Sequence, residues 1–280
     1  MMNNQSFSQS FSTNNRNVQI NDLLNSTNLI AKIAFLLIVI ILFIILLKVG
    51  TAILAYIFQP TGSTYLINGT VDATQLLVFK QNSAKTQIMR SNNATDGIEF
   101  TWSIWININN LQYLAGQYKH IFYKGNNDIN ENGLNFPNNA PGLYIAPDTN
   151  ELVIMMNTYS VINEEILVPN IPLNKWINVI IRCRENILDV YINGTITRSI
   201  QLSGVPKQNY GDVYVGTNGG FQGNISDLRY YNYALGAADI QNIVSNGPNT
   251  YMVTPSPKQT STIWDYLSLR WFFDQNDMYN

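Results

Sequence analysis

The hydrophobic positions of this chain follow two different periods, and the change falls near Gln59. Residues 29–58 form an almost unbroken apolar run whose only charges are Lys32 and Lys48. Because about 20 apolar residues suffice to cross the hydrocarbon core of a bilayer, the run predicts one transmembrane helix. The positions of the two lysines allow two choices for the residues that span the membrane. The membrane-spanning part either lies between them, with both amines reaching the headgroups, or extends over residues 33–58 and includes Lys48.

Two other interpretations of the apolar run remain. Gly50 and Ala52 would suit a cleaved secretory signal, although 28 residues precede the run and an apolar stretch resumes after it. A buried helix of a soluble core would need a large helical domain around it. Arg16 and Lys32 lie on the N-terminal side, whereas residues 59–79 contain no Lys or Arg. Since basic residues favour the cytoplasmic side, we expect the C-terminal domain to be exoplasmic.

Beyond Gln59, apolar and polar residues alternate as they do in half-buried antiparallel strands. Residues 98–108 are the clearest case, because one face carries Ile98, Phe100, Trp102, Ile104, Ile106 and Ile108. Residues 142–158 contain two β runs around Pro-Asp-Thr-Asn, which predicts a hairpin.

The C-terminal half of this region predicts five more strands. Residues 176–202 contain three of them, and the last two join at Asn193 and Gly194, a pair that supplies the positive φ angles of a type I′ turn. Residues 212–217 and 224–232 add two more. Short strands without intervening helices predict an all-β sandwich or jelly roll.

The sequence therefore predicts four parts. Residues 1–28 are polar and low in charge, which is typical of a disordered tail, and residues 29–58 form the membrane helix. Residues 59–247 form the β domain, and residues 248–280 a tail with a short aromatic helix. That helix packs back on the sandwich, lies at the membrane interface or meets a partner.

The charge balance and the cysteine count narrow the range of partners and the means of stabilising the domain. From Gln59 onward the chain has 13 basic and 17 acidic residues, which disfavours a nucleic-acid partner because phosphate binding needs a basic face. Cys183 is the single cysteine, so no internal disulfide forms and a large core has to hold the domain together.

Several segments of the β region resemble one family in their order. They are FTWSIWINI, HIFYKGN, GLYIAPDTNELVI, KWINVIIRCRENILDVYINGTI and VYVGTNGGFQGNISDLRYYNYALGAADIQNIV. Over roughly residues 63–246 the chain resembles the laminin G-like domains of the concanavalin A-like lectin/glucanase superfamily. The resemblance implies a jelly-roll sandwich of two antiparallel sheets with about a dozen strands.

Most motif residues have a structural interpretation. We interpret four aromatic residues as core packing: Trp102, Trp176, Phe221 and Tyr230. Asp227 is interpreted as a hydrogen-bond acceptor that holds a loop in place. Four glycines are interpreted as turn and bulge residues: Gly216, Gly219, Gly220 and Gly223.

An enzymatic function has little support in the sequence. Glycoside hydrolases of the superfamily carry carboxylates on one strand face in an E-x-D-x-E pattern, and this pattern does not occur here. Glu164 and Glu165 are adjacent, so they point to opposite faces. The single histidine, His120, has no evident nucleophile nearby in sequence and is interpreted as an ordinary strand residue.

The resemblance instead implies binding of glycans or proteins through loops at one rim or through a sheet face, in several relatives with calcium. The best loop is residues 124–142, which is rich in oxygen-bearing side chains and has Asp128 and Glu131 as its only carboxylates. These two are candidate calcium ligands because hard cations take several oxygen ligands. A solvated loop without metal is the interpretation that the sequence favours, because two carboxylates three residues apart lack the fixed spacing of an EF-hand.

The predicted function is a single-pass membrane protein that displays a non-catalytic glycan-binding or protein-binding domain, with membrane lipid as its second partner. The alternative is a structural or assembly protein of a viral or cellular envelope membrane, since the Asn-rich and Ile-rich composition would suit an AT-rich viral or protist genome. A glycoside hydrolase ranks third.

Overall fold

The computed structural model describes residues 29–57, 62–83 and 86–253, in two units that divide after Pro60. The first unit contains one helix, α1 (Leu29–Ile57). Its stretch Lys32–Leu54, 23 residues, is long and apolar enough to cross a membrane by length and composition, a test that a signal sequence also passes. At a rise of 1.5 Å per residue the stretch extends about 35 Å. The predicted N-terminal tail and aromatic C-terminal helix lie outside the described residues.

The described part of the second unit contains fourteen strands, one 3₁₀ turn and one α-helix. They are β1 (Ser63–Tyr65), β2 (Thr70–Asp72), β3 (Leu77–Phe79), β4 (Asn92–Ala94), β5 (Gly97–Asn110), β6 (Lys119–Gly125), β7 (Gly142–Ile145), β8 (Glu151–Met156), β9 (Glu164–Pro169), β10 (Trp176–Glu185), β11 (Ile187–Ile192), β12 (Thr195–Gln201), β13 (Asp212–Val215), the 3₁₀ turn (Thr217–Gly219), β14 (Gln222–Tyr231) and α2 (Ala237–Asn246).

These strands form two antiparallel sheets. The eight-stranded sheet has the order β1-β14-β5-β10-β11-β12, with β2 paired to β14 and β4 paired to β5. The six-stranded sheet has the order β3-β13-β6-β7-β8-β9. The predicted jelly-roll sandwich is confirmed, as is the hairpin β7–β8. Asn193 and Gly194 join β11 to β12 with φ angles of 50° and 78°, as a type I′ turn requires.

The core lies between the two sheets and consists of the alternate inward-facing residues of both. Trp102 is buried at its centre, with its ring centroid 5.0 Å from Phe122 and 4.8 Å from Tyr230. Phe221 is also buried, whereas Trp176 remains partly exposed at the start of its strand. Three of the four aromatic residues predicted for the core are therefore fully buried, and no disulfide is needed to hold them.

The outer face of each sheet is partly covered by its own apolar cluster. Helix α2 covers the eight-stranded sheet, where Ile240 packs with Ile180 and Tyr231. On the six-stranded sheet, Leu134 of the long loop between β6 and β7 packs with residues of three strands, among them Tyr123, Tyr144, Val153 and Met155. Because the same strands contribute neighbouring residues to the central core, these side chains lie on the opposite face of the sheet.

Strand register brings several loops to one end of the sandwich, which we call the Ser63 end. There Ser63 pairs with Tyr231 as the chain enters the domain. The loop after β12 leaves at this end and reaches β9, because the backbone and hydroxyl of Ser203 donate to the Glu164 carboxylate. The ends of β6 and β8 and the start of β13 lie at this end as well.

Asp227 holds two distant segments together, as predicted from the sequence. Its Oδ1 accepts a hydrogen bond of 3.2 Å from the Gly69 amide, and its Oδ2 one of 2.9 Å from the Asn249 amide. The chain beyond Asn249 then bonds to β2, since the Val253 amide donates to the Thr70 carbonyl at 2.8 Å. Residues 249–253 are thereby fixed against the eight-stranded sheet.

Candidate functional site

A polar cleft of about 580 Å³ opens at the Ser63 end of the sandwich. Three loops and the first residues of β13 line it. The lining residues are Gly125, Asn126, Asn127, Asn138, Asn157, Lys207, Gln208, Asn209, Tyr210, Gly211, Asp212 and Tyr214. Half of them carry side-chain amides, which both donate and accept hydrogen bonds.

Two glycines let the walls of the cleft approach each other. A Cβ atom on Gly125 would lie 1.9 Å from the Asn138 carbonyl oxygen, and one on Gly211 would lie 2.3 Å from the Gly125 carbonyl oxygen. Both contacts are with backbone atoms, so a side chain at either position would push the loops apart. The two glycines therefore set the width of the cleft.

The buried Lys124 supports the floor of the cleft from below. Its ammonium group donates to the Gly211 carbonyl at 2.6 Å and to the Gln81 side-chain oxygen. The backbone carbonyl of Lys124 accepts a hydrogen bond of 3.2 Å from the side-chain nitrogen Nδ2 of Asn209. Burial lowers the pKa of Lys124 to about 8, an effect that the nearby Asp212 carboxylate partly opposes. Lys124 thus connects β6 to the loop before β13.

Four of the six side-chain amides in the lining fall into two groups. Asn157 and Asn209 are used within the fold: Asn157 binds the Asn139 amide and the Pro137 carbonyl, each at 2.5 Å, and Asn209 binds the Gly211 amide at 2.7 Å. In contrast, Asn126 Oδ1 and Gln208 Oε1 are hidden from solvent without a hydrogen-bond partner among the described residues. The second group keeps hydrogen-bonding capacity that the fold does not use.

Aromatic rings and one cation complete the cleft. Tyr210 is 63% exposed. Tyr214 stacks on Tyr123 with centroids 5.1 Å apart, and Tyr123 in turn stacks on Tyr144 at 6.4 Å, so a row of rings crosses the six-stranded sheet to the cleft. The Lys207 ammonium lies 5.6 Å from the centre of the ring of Tyr159.

Asp212 supplies the single carboxylate among the described residues that line the cleft. It accepts hydrogen bonds from the Lys80 ammonium at 2.7 Å and from the Gln81 amide at 2.9 Å. Burial raises the pKa of Asp212, but the Lys80 and Gln81 hydrogen bonds outweigh it and the net pKa is lowered. Among the described lining residues, no second carboxyl group accompanies Asp212, whereas most glycoside hydrolases use a pair.

The predicted loop 124–142 does contribute to the cleft, but through glycine and asparagine residues rather than through its carboxylates. Asp128 and Glu131 are exposed and lie in a small turn of chain, in which the Phe136 amide donates to the Asp128 carbonyl at 2.8 Å. Within the described residues, no three His, Cys, Asp or Glu side chains come together as a metal site. The calcium site stays a prediction.

Sequence reasoning missed the other wall of the cleft, residues 207–214. Its signal in the sequence is a polar segment with a tyrosine, KQNYGD, between two strands. Such a segment also fits an ordinary connecting loop. Only the pairing of β13 with β6 brings it opposite loop 124–142.

The family model for laminin G-type domains, described as the concanavalin A-like lectin/glucanases superfamily, matches residues 80–241. The match covers more than half of the chain and includes every residue of the cleft. The chain belongs to this family. No match to a curated protein was found.

Solved structures with a similar fold include binding domains of botulinum neurotoxins. The serotype D ligand binding domain in complex with N-acetylneuraminic acid matches at 13% identity and a TM-score of 0.48, over 65% of this chain and 44% of that one. The serotype G binding domain matches at 15% identity and a TM-score of 0.43, over 66% and 50%. The chain thus spans half or less of these structures. At such identities and TM-scores, the likeness does not bear on what this chain binds.

Proposed function

We propose that this chain is a single-pass membrane protein whose laminin G-like domain binds a glycan in the cleft at the Ser63 end, without catalysis. The observation that carries the proposal is the combination of unused amide oxygens with the exposed aromatic ring of Tyr210 in one cleft. Sugar hydroxyls both donate and accept hydrogen bonds, as side-chain amides do. The apolar face of a sugar ring packs on an aromatic ring such as that of Tyr210.

The cleft is already formed in the free protein, which supports a role in ligand binding. The Lys124 contacts and the two close glycine approaches fix its walls before any ligand arrives. A preformed site loses less conformational freedom on binding. Asn126 and Gln208 line the cleft, and a small shift of either side chain would let its unpartnered oxygen accept a hydrogen bond from a sugar hydroxyl.

The same lining argues for binding rather than hydrolysis. Asp212 is occupied by Lys80 and Gln81, and its lowered pKa keeps it ionised at neutral pH, so it is a poor proton donor. Among the described residues of the lining, no other carboxyl group is present to serve as nucleophile or base.

A glycan array with the fragment Gln59–Asn280 tests the proposal. We expect a defined set of glycans to bind, and Tyr210→Ala to weaken binding about tenfold, as loss of a well-packed aromatic contact does. Tyr251→Ala is the matched control, because Tyr251 is 74% exposed but does not line the cleft. Equal effects of the two substitutions would contradict a site in the cleft.

Asn126 offers a second test with two readouts. Asn126→Ala removes a buried acceptor that has no partner in the free protein, so the melting temperature should not fall while glycan affinity does. Asn157→Ala should instead lower the melting temperature, since Asn157 bonds within the fold. If only cognate proteins co-purify and no glycan binds, the assembly alternative replaces glycan recognition.

Membrane anchorage by α1 is the second part of the proposal, and its length and apolar composition support it. The full chain should remain with membranes after extraction with alkaline carbonate, whereas the fragment Gln59–Asn280 should be soluble. Recovery of the full chain in the carbonate supernatant would exclude the anchor. Cleavage near Gly50 would instead identify a signal sequence.

A further inference from the structure

Beside the cleft, two loops form an exposed apolar surface, which we call the rim patch. It consists of Tyr159, Val161, Ile162 and Val205, whose exposed fractions are 74%, 41%, 50% and 45%. Single exposed apolar residues are common, but a contiguous group of them marks a surface that contacts something.

The rim patch is held rigidly by its backbone. The Tyr159 amide donates to the Val205 carbonyl at 2.9 Å, which joins the two loops. Thr158 closes the first loop, because its amide donates to the Val161 carbonyl at 3.0 Å and its hydroxyl accepts from the Val161 amide at 2.9 Å. The apolar side chains are thus displayed by fixed loops.

We propose that the rim patch rests in the interfacial region of a lipid bilayer, an inference that rests on the proposed membrane anchorage. The chain enters the domain at the Ser63 end, where the rim patch also lies, and the candidate membrane helix directly precedes this point in sequence. Tyrosine, aliphatic residues and a lysine with a long apolar stem are the composition of a membrane interface. Lys207, whose ammonium lies over the ring of Tyr159, completes this set.

The charges around the rim patch indicate which lipid surface it fits. Glu164 and Glu165 follow the first loop directly, and the Glu164 carboxylate is fixed by the Ser203 amide and hydroxyl. These carboxylates oppose attraction to anionic lipid, so the contact depends on burial of apolar area. The bilayer for the test is therefore zwitterionic phosphatidylcholine, which carries no glycan.

The test uses the full chain reconstituted in phosphatidylcholine vesicles, with a nitroxide spin label on Ser160→Cys. Cys183 is buried, so the introduced thiol is labelled selectively. Oxygen dissolves in the bilayer and a nickel chelate stays in water. Each reagent speeds the relaxation of a spin label that it can reach, so the ratio of the oxygen effect to the nickel effect reports contact with lipid. We expect this ratio to be several-fold higher at residue 160 than at Ala115→Cys. Residue 115 is an exposed control in the loop between β5 and β6, at the opposite end of the sandwich.

A matched pair of substitutions checks the cause. Ile162→Asn should lower the ratio at residue 160 towards the control value, whereas Ile196→Asn should not, although both isoleucines are 50% exposed. A ratio at residue 160 equal to that at residue 115 overturns the inference. So does exclusion of both reagents, which would mean that protein covers the rim patch.

Flotation of the vesicles and extraction with alkaline carbonate test the membrane anchor separately from the lipid contact of the rim patch. A chain that resists carbonate but has a low ratio at residue 160 retains the anchor and contradicts the lipid contact. A high ratio in a chain that carbonate releases supports the lipid contact and contradicts the anchor. A chain that does not float with the vesicles contradicts both.

Discussion

The imidazole of His120 binds the backbone carbonyl of Gly133 and so fastens the long loop between β6 and β7 to the outer face of the six-stranded sheet. His120 is fully buried between aromatic rings, with Tyr144 5.0 Å and Tyr123 5.5 Å away between centroids. Its second ring nitrogen, Nδ1, has no hydrogen-bond partner among the described residues. Burial lowers the pKa of His120 to about 4, although the bond to Gly133 opposes this.

This pKa predicts that the domain loses stability in mild acid. Below the ordinary value of 6.5 the unfolded chain takes up a proton that the folded chain refuses until about pH 4, so stability falls as the pH drops through this window. The expected loss between pH 7.5 and pH 5 is about 2 kcal/mol. Urea unfolding at both pH values measures it.

His120→Gln is the control for that experiment, because an amide can still donate to Gly133 and does not titrate. The variant should lose markedly less stability between the two pH values than the unsubstituted domain. Parallel pH dependence in both proteins would mean that other groups cause the loss.

A second prediction concerns the ion pair of Arg182 and Asp189 on neighbouring strands. Their side chains are 15% and 4% exposed and lie 2.7 Å apart, and the Ser199 hydroxyl also donates to Asp189 at 2.6 Å. Asp189→Ala would leave a largely buried guanidinium group without its carboxylate, so we expect a loss of about 3 kcal/mol in the free energy of unfolding. Chemical denaturation measures this loss.

The ion pair of Lys80 and Asp212 provides the contrast, because the Lys80 side chain is 70% exposed. Lys80→Ala should change the free energy of unfolding far less than Asp189→Ala, since exposed pairs are screened by water. A double replacement of Arg182 and Asp189 by apolar residues should also cost less than Asp189→Ala alone. If Lys80→Ala, Asp189→Ala and the double replacement all lowered the free energy of unfolding equally, the unpaired buried charge would not be the cause of the loss.

The sandwich could be predicted from the sequence because its strands are strongly patterned. The alternation from Ile98 to Ile108 and the Asn193-Gly194 turn are local signals, and local signals fix strand faces and hairpin register. Asp227 was also interpreted correctly as an acceptor that holds a loop. Its partners, Gly69 and Asn249, lie 158 and 22 residues away, so neither could be named before the fold was known.

The cleft could be predicted only in part. The oxygen-bearing side chains of loop 124–142 single it out in the sequence, and two of its residues, Asn126 and Asn138, line the cleft. Charge points to Asp128 and Glu131 in this loop, whereas the part of the loop that lines the cleft carries neutral amides. Which amides are free for a ligand depends on long-range bonds such as that of Asn209 to Lys124, which leave no trace in local sequence.

The type I′ turn gives a third prediction, in which backbone strain and crowding can be separated. Gly194 has φ of 78°, and a Cβ there would lie 2.9 Å from Gln241 and 3.3 Å from Val244 of α2. Gly116 has φ of 82° with nothing within 4 Å of such a Cβ. Gly116→Val should therefore cost about 1 kcal/mol from strain alone, and Gly194→Val more.

Thermal unfolding of both glycine variants measures the difference. If Gly194→Val costs no more than Gly116→Val, helix α2 yields without loss and crowding does not contribute. Unchanged stability in both variants would contradict the positive φ angles themselves.

The last prediction concerns calcium at Asp128 and Glu131, the two carboxylates of loop 124–142. Their side chains are exposed, and the turn of chain that carries them is closed by its own hydrogen bonds, such as that from the Asp128 amide to Asn135 Oδ1 at 3.1 Å. A bound cation would therefore add to an ordered loop rather than create it.

If calcium binds here, millimolar calcium should raise the melting temperature of the fragment Gln59–Asn280 through preferential binding to the native state. Asp128→Asn combined with Glu131→Gln should abolish that rise and change the calcium-free stability by only about 0.5 kcal/mol, as exposed substitutions do. A melting temperature that ignores calcium would remove the site, and a double variant that still responds would place the cation elsewhere.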